Sequence, residues 1–257
     1  MTRLKILFSQ KYEWEKSITE KLKEYEILFR DFDEVNLDEY DIIIPLSLDA
    51  QRFYNDSTYK LLYKIIVPSN HCINLCHDKL LFNQFLIEKG YEDFVPKKNG
   101  ISQYPFILKP RIGAWGKDIS IIRNMHDEIK NAHKIQSSEY FKQEYINGDE
   151  EYTTHIIIKD SKIVFMATLR FNFNIPQYIK GKETQPTKMQ EVDHSQFRKL
   201  FSDILVSMSY QGICCFNYKV IDGQLLIFEI NPRYGGTMTY FIREALPSLI
   251  NCLSKKS

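Results

Sequence analysis

A chain of 257 residues with 44% hydrophobic content has enough apolar material for one to two compact domains, which excludes a disordered chain. Basic and acidic residues nearly cancel, 34 against 33. That balance removes the electrostatic case for bulk nucleic-acid binding or a polybasic membrane surface, so neither partner is expected.

The first third alternates strand and helix. LKILFS (4–9), EILFRDF (26–32), YDIIIPLS (40–47) and KIIVPS (64–69) read as strands, and helical spacing covers 14–25 and 52–64. Such alternation argues for βαβ units and a parallel sheet. No GxGxxG follows the first strand; Ser9, Gln10 and Lys11 stand there, which argues against a dinucleotide site. The start, MTRLKILFSQ, has too short an apolar run for a signal peptide, and no stretch is long enough to cross a bilayer. The five cysteines, Cys72, Cys76, Cys214, Cys215 and Cys252, read as reduced thiols of a cytoplasmic protein. His71, Cys72, Cys76 and His77 crowd one helical segment with no second pair at zinc-finger spacing, so they are not read as a zinc site.

A helix is expected over 77–90, with Leu80, Leu81, Phe85 and Leu86 as its stripe and Gly90 as its stop. In FILKPRIGAWGKD, Lys109 ends a strand on the face opposite Phe106 and Leu108, where a lysine wants an anion. Gly113, Gly116 and Lys117 follow in a loop that could close over a ligand or be an ordinary turn; it is not a P-loop, because Asp118 follows the lysine. A short helix at 126–136 precedes a strand-rich stretch, 140–173, that contains Glu144 and Glu151 in QEYINGDEEY. Those glutamates also fit a solvated acidic loop. Residues 174–192 are polar and poorly patterned. The helix over 193–210 has the best stripe, with Gly212 read as its cap.

The last hairpin turns at Asp222-Gly223 and runs into LLIFEINPRYGG. Strict alternation puts Glu229 and Asn231 on one face with Ile227, and Leu226, Phe228 and Ile230 on the other. A carboxylate and an amide oxygen at a strand mouth suit a hard cation, although a strand end reaching solvent carries the same residues. A two-residue turn sets Asn217 opposite Phe228, on the wrong face; a three-residue loop, Ile221-Asp222-Gly223, sets it opposite Ile227. A metal site therefore predicts the bulged loop. A final helix spans 239–253.

The order of these pieces resembles the ATP-grasp superfamily, most closely the carbamoyl-phosphate-synthase-like branch of carboxylate–amine ligases. The pieces are Lys79 after an aspartate, Lys109 before a glycine loop, Glu144 and Glu151, then Asn217, Glu229 and Asn231. EINPR is the most specific, QEYINGDEEY next, and the glycine loop weakest. The resemblance implies a mixed α/β and α+β fold: a short parallel α/β domain over 1–75, a small ATP-grasp subdomain over 76–143 and a large one over 144–257, with ATP in the cleft between the last two. It implies that Lys79 and Lys109 contact phosphates and that the loop with Gly113, Gly116 and Lys117 covers them. Backbone from Glu144 through Tyr145 to Ile146 would meet adenine, and Glu151 the ribose. Glu229 would bridge two Mg²⁺ ions (Mn²⁺ being an alternative), with Asn231 on one and Asn217 on the other. Arg233, Lys109 and Arg170 would act on the reacting groups. Family members activate a carboxylate as an acyl phosphate for attack by an amine, so small-molecule acids and amines are the implied partners; a homodimer is compatible. A kinase acting on a hydroxyl and a non-catalytic nucleotide-binding regulator are the alternatives. Asn217 stands where the family often has Asp or Gln, and Trp115 is bulky for the loop. Lys180, Lys182 and Lys188 fall where substrate and phosphate contacts are placed, or in a solvated basic loop.

Overall fold

The computed structural model describes residues 3–58, 63–98, 103–113, 116–181 and 184–254. Trp115 and Lys182 lie outside them, as do residues 59–62 of the expected second helix.

Three sheets organise the chain. The first is parallel, in the order β2 (Glu26–Phe29), β1 (Lys5–Phe8), β3 (Ile42–Ile44). The apolar runs of β1 and β3 are buried on both faces, as a parallel sheet requires, while β2 at the edge is partly buried. Helix α1 (Tyr12–Lys21) covers one face with Trp14 and Ile18. Helix α2 (Leu48–Asp56) begins earlier than its apolar spacing suggests, because the Ser47 hydroxyl accepts the Ala50 amide at 3.1 Å.

The strand expected at 64–69 does not form. The Ile43 amide donates to the Lys64 carbonyl at 2.8 Å, and there the pairing stops. Pro68 has no amide to extend a ladder. Val67 and Pro68 instead pack under Gly212, where a Cβ would lie 3.2 Å from the Pro68 Cδ. Gly212, with φ of +108°, thus opens the next strand rather than capping a helix; Ser209, at φ +54°, takes the left-handed position after α7 (Arg198–Ser207).

The helix expected at 77–90 forms over Lys79–Glu88, and a separate helix precedes it, the two meeting at Asp78. Helix α3 (Asn70–His77) ends there and α4 (Lys79–Glu88) begins, with Asp78 Oδ1 accepting the Leu80 and Leu81 amides at 3.0 and 3.2 Å. A three-stranded antiparallel sheet follows, in the order β5 (Ser120–Ile122), β4 (Phe106–Pro110), β6 (Tyr140–Glu144), backed by α5 (Met125–Lys130) and α6 (Ala132–Ile135). Phe106, Leu108 and Ile122 form its core on the helix side.

The large sheet is antiparallel: β11 (Gln224–Asn231), β10 (Gly212–Ile221), β7 (Glu150–Lys159), β8 (Lys162–Asn172), β9 (Lys188–Val192). β9 lies in the stretch read as unpatterned. Ile156, Phe216, Tyr218, Leu225, Ile227 and Ile230 bury one face against α3, α4 and α7. Each such side chain stabilises by about 1.5–3 kcal/mol relative to exposure. The far end packs with the parallel sheet and α8 (Ile242–Ser254) in a shared core containing Trp14, Ile157, Tyr234 and Leu246. Among the described residues no helix is long and apolar enough to cross a membrane.

Candidate active site

The hairpin between β10 and β11 has the two-residue turn but not the register expected of it. The turn is the tight one: Ile221 pairs with Gln224, and Asp222 and Gly223 have φ of +50° and +81°. The irregularity comes later. Tyr218 pairs with Ile227, Asn217 pairs with Glu229, and Phe228 is the extra residue of a β-bulge. The bulge replaces the expected three-residue loop and sets Asn217 opposite Glu229 rather than Ile227, on the same face as Glu229 and Asn231. It also reverses the assignment of neighbours: Ile227 joins Leu225 and Ile230 in the core, and Phe228 joins Glu229 on the open face.

Asn217, Glu229 and Asn231 therefore share one face. Glu229 Oε1 accepts from Asn217 Nδ2 at 2.9 Å and from Asn231 Nδ2 at 3.1 Å, and Glu229 Oε2 lies 3.4 Å from Lys79 Nζ. Burial alone would raise the Glu229 carboxyl; the charges of Lys79 and Lys109 and the two amides outweigh it and hold the group below its usual range.

Lys79 projects from the first turn of α4, and its Nζ also donates to the Gly113 carbonyl at 2.6 Å. The neighbouring Asp78 accepts from Arg111 Nη2 at 2.6 Å and Nε at 2.9 Å, which ties the glycine-bearing loop to the helix start. Lys109 reaches the cleft from the end of β4. It is 7% exposed, donates to Gln143 Oε1 at 2.9 Å, and lies 5.0 Å from the Phe228 ring centroid. Burial lowers its ammonium to about 8, with Lys79 adding to the fall and Glu229 opposing it.

The linker from β6 to β7 carries the acidic motif. Glu144 is exposed; its amide donates to the Lys97 carbonyl at 2.8 Å, and its carboxylate accepts the Lys97 amide at 3.2 Å. Tyr145 is buried, with its hydroxyl donating to the Tyr178 carbonyl and accepting the Tyr178 amide. Lys219 is 2% exposed and clamps the linker by donating to the Ile146 and Gly148 carbonyls at 3.0 and 2.6 Å. Glu151 is paired with Lys180 at 2.9 Å.

These groups surround one cavity of about 520 Å³ between the small and large sheets. Lys79, Lys109, Gly113, Gly116, Lys117, Glu144, Tyr145, Ile146, Glu151, Asn217, Glu229, Asn231 and Arg233 all line it. So do Lys180, Lys219 and Trp14. Arg170 does not: it pairs with Glu150 at 3.2 Å on β8, and its neighbour Phe171 is the residue facing the cavity. Lys188 lies on β9, opposite Asn172, and is not among the lining residues.

Tight packing of the backbone explains the two glycines after Tyr234. A Cβ on Gly235 would lie 2.9 Å from His155 Cε1 and 3.0 Å from Cys215 Sγ; one on Gly236 would meet the Trp14 indole at 3.2 Å. His155 is fully buried, and its Nε2 shares a 2.8 Å hydrogen bond with the Thr237 hydroxyl. Burial, with the charge of Lys180, lowers it to about 3, so it is neutral.

A family model described as an ATP-grasp domain matches residues 76–237. The chain belongs to the ATP-grasp family. An uncharacterised protein of Methanocaldococcus jannaschii is 26% identical over 181 residues, and the chain spans 40% of the length of that curated relative. The match covers 70% of this chain. Among solved structures, D-alanine–D-alanine ligase from Bacillus anthracis complexed with ATP superposes with a TM-score of 0.62 at 16% identity, covering 98% of this chain and 96% of that one. D-Cycloserine synthetase gives 0.67 at 12% identity, covering 97% and 99%. N5-carboxyaminoimidazole synthetase from Staphylococcus aureus complexed with ADP gives 0.65 at 18% identity, covering 94% and 74%. At these identities the likeness is one of fold.

This ATP-grasp chain has a donor set that suits Mg²⁺. Glu229 supplies one carboxylate and Asn217 and Asn231 two amides, all hard oxygen donors once each amide turns its oxygen inward. The Lys79 ammonium beside Glu229 already marks a position that favours positive charge. A single carboxylate holds Mg²⁺ weakly by itself and fits an ion that arrives with nucleotide phosphates.

Proposed function

We propose that the protein is an ATP- and Mg²⁺-dependent ligase that joins a carboxylate to an amine, on the carbamoyl-phosphate-synthase-like branch of the family. The observation that carries this reading is the convergence of Lys79, Lys109, Lys180 and Arg233 on one cavity that also contains the Glu229 carboxylate with Asn217 and Asn231. Phosphoryl transfer is mostly positioning and charge neutralisation, and this set supplies both.

In this reading the division falls at 1–75, 76–143 and 144–257, with the nucleotide between the last two. Adenine lies against the backbone from Glu144 to Ile146, and the ribose hydroxyls meet Glu151. Lys79, Lys109 and the loop with Gly113, Gly116 and Lys117 hold the phosphates. Glu229, Asn217 and Asn231 hold Mg²⁺, which neutralises charge on the phosphates. A substrate carboxylate oxygen takes the γ-phosphoryl group, giving an acyl phosphate and ADP. Arg233 stabilises the transferred phosphoryl group. An amine then attacks the acyl carbon, expels phosphate and loses a proton, leaving an amide.

The test is a screen of acid and amine pairs with Mg·ATP, following ADP, inorganic phosphate and product mass. The reading expects ADP and phosphate in equal amounts, dependent on both substrates. ADP without phosphate would mark a kinase, and Mg·ATP binding without turnover a regulator.

A further inference from the structure

Lys109 Nζ is joined through the protein interior to the main chain of Lys79. Lys109 Nζ donates to Gln143 Oε1 at 2.9 Å. Gln143 Nε2 donates to Asn83 Oδ1 at 2.7 Å and to the Pro96 carbonyl at 3.0 Å. Asn83 Nδ2 donates to the Lys79 carbonyl at 2.7 Å. Gln143 is 0% exposed and Asn83 1%. Every polar group of the two amides has a partner, so the chain is a satisfied buried network that specifies one arrangement.

The surroundings explain why Lys109 needs it. Lys79 repels its charge, while Glu229 and Glu151 attract it from across the cleft. Phe228 supplies only a ring face, at 5.0 Å. Unheld, a flexible lysine stem would swing toward the carboxylates, and ordering it again on a ligand costs rotamer entropy. Gln143 sits one ladder step from Lys109, opposite Ile107 on β6, and offers a neutral oxygen. A neutral acceptor orients the ammonium without cancelling the charge a phosphate would meet.

We propose that Gln143, fixed by Asn83 against the first turn of α4, is the positioning residue for Lys109. The proposal rests on the nucleotide reading of the cleft.

The test is a double-mutant cycle by calorimetry with two probes, Mg·ATP and adenosine. Gln143→Met should weaken Mg·ATP roughly tenfold, the scale of a charge-assisted hydrogen bond, and leave adenosine affinity unchanged. In a Lys109→Met background the same change should have no further effect. Wild-type binding with equal loss in both backgrounds overturns the positioning role alone; no Mg·ATP binding by the wild type overturns the nucleotide reading and this inference with it. If Gln143→Met does not fold, Asn83→Ala, which releases the Gln143 amide without touching Lys109, should weaken Mg·ATP in the same direction, spare adenosine, and have no further effect in the Lys109→Met background; equal loss in both backgrounds would overturn the proposal.

Discussion

Asn217 sits directly across the ladder from Glu229, with its amide nitrogen 2.9 Å from the carboxylate, because Phe228 is squeezed out as a bulge. A neutral amide there keeps one negative charge at the centre of the site instead of two.

Replacing that amide with a carboxylate should make stability depend on the ion. Asn217→Asp loses the hydrogen bond to Glu229 and sets two carboxylates side by side, which should cost about 1–3 kcal/mol without metal. Mg²⁺ should restore the loss, giving a larger Mg²⁺-dependent rise in Tm than in the wild type. Thermal melts with Mg²⁺ and with a chelator check this; equal shifts in both proteins would argue against a cation at Glu229.

Lys109 sets a pH limit on phosphate binding. Its ammonium titrates at about 8, below that of an ordinary lysine, because it is buried. A bound phosphate favours the charged form, so Mg·ATP affinity should fall as pH rises through about 8, and binding at higher pH should take up a proton. For the free protein the sign is opposite: the strain of a buried charge is present in full below about 8 and is relieved as pH rises from there. Calorimetry in buffers of differing ionisation enthalpy reads the proton uptake, which Lys109→Met should abolish.

Gly235→Ala tests the packing of the loop that carries Arg233. The added Cβ would overlap His155 Cε1 and Cys215 Sγ, and the His155 ring is held by Thr237. Overpacking of this kind costs about 1–3 kcal/mol. A denaturant midpoint that does not move would show that the loop yields freely.

Much of the site was legible because its spacing is local. Glu229, Asn231 and Arg233 stand within five residues of one strand end, and Lys109 stands at the boundary between an apolar run and a glycine-bearing loop. What was not legible depends on where distant segments meet. The bulge at Phe228 is a backbone choice that leaves the alternation looking regular. Gln143 and Asn83 are ordinary polar residues until β6 and α4 bring them together. Lys219 did leave a signal: it follows Asn217 by two in an otherwise apolar strand, so alternation places it on the cleft face. By the same alternation Arg170 lies on the face opposite Phe171, the neighbour that lines the cavity. β9 was obscured because it is a short strand with no strong apolar alternation.

The central claim is that nucleotide and metal meet between Lys109 and Glu229. The most direct measurement is a calorimetric titration of Mg·ATP into the wild type, Glu229→Ala and Lys109→Ala, each shown to be folded. The account predicts binding by the wild type that is lost or much weakened in both variants. Binding of equal strength in all three would place the nucleotide elsewhere, and no binding by any of them would contradict the account outright.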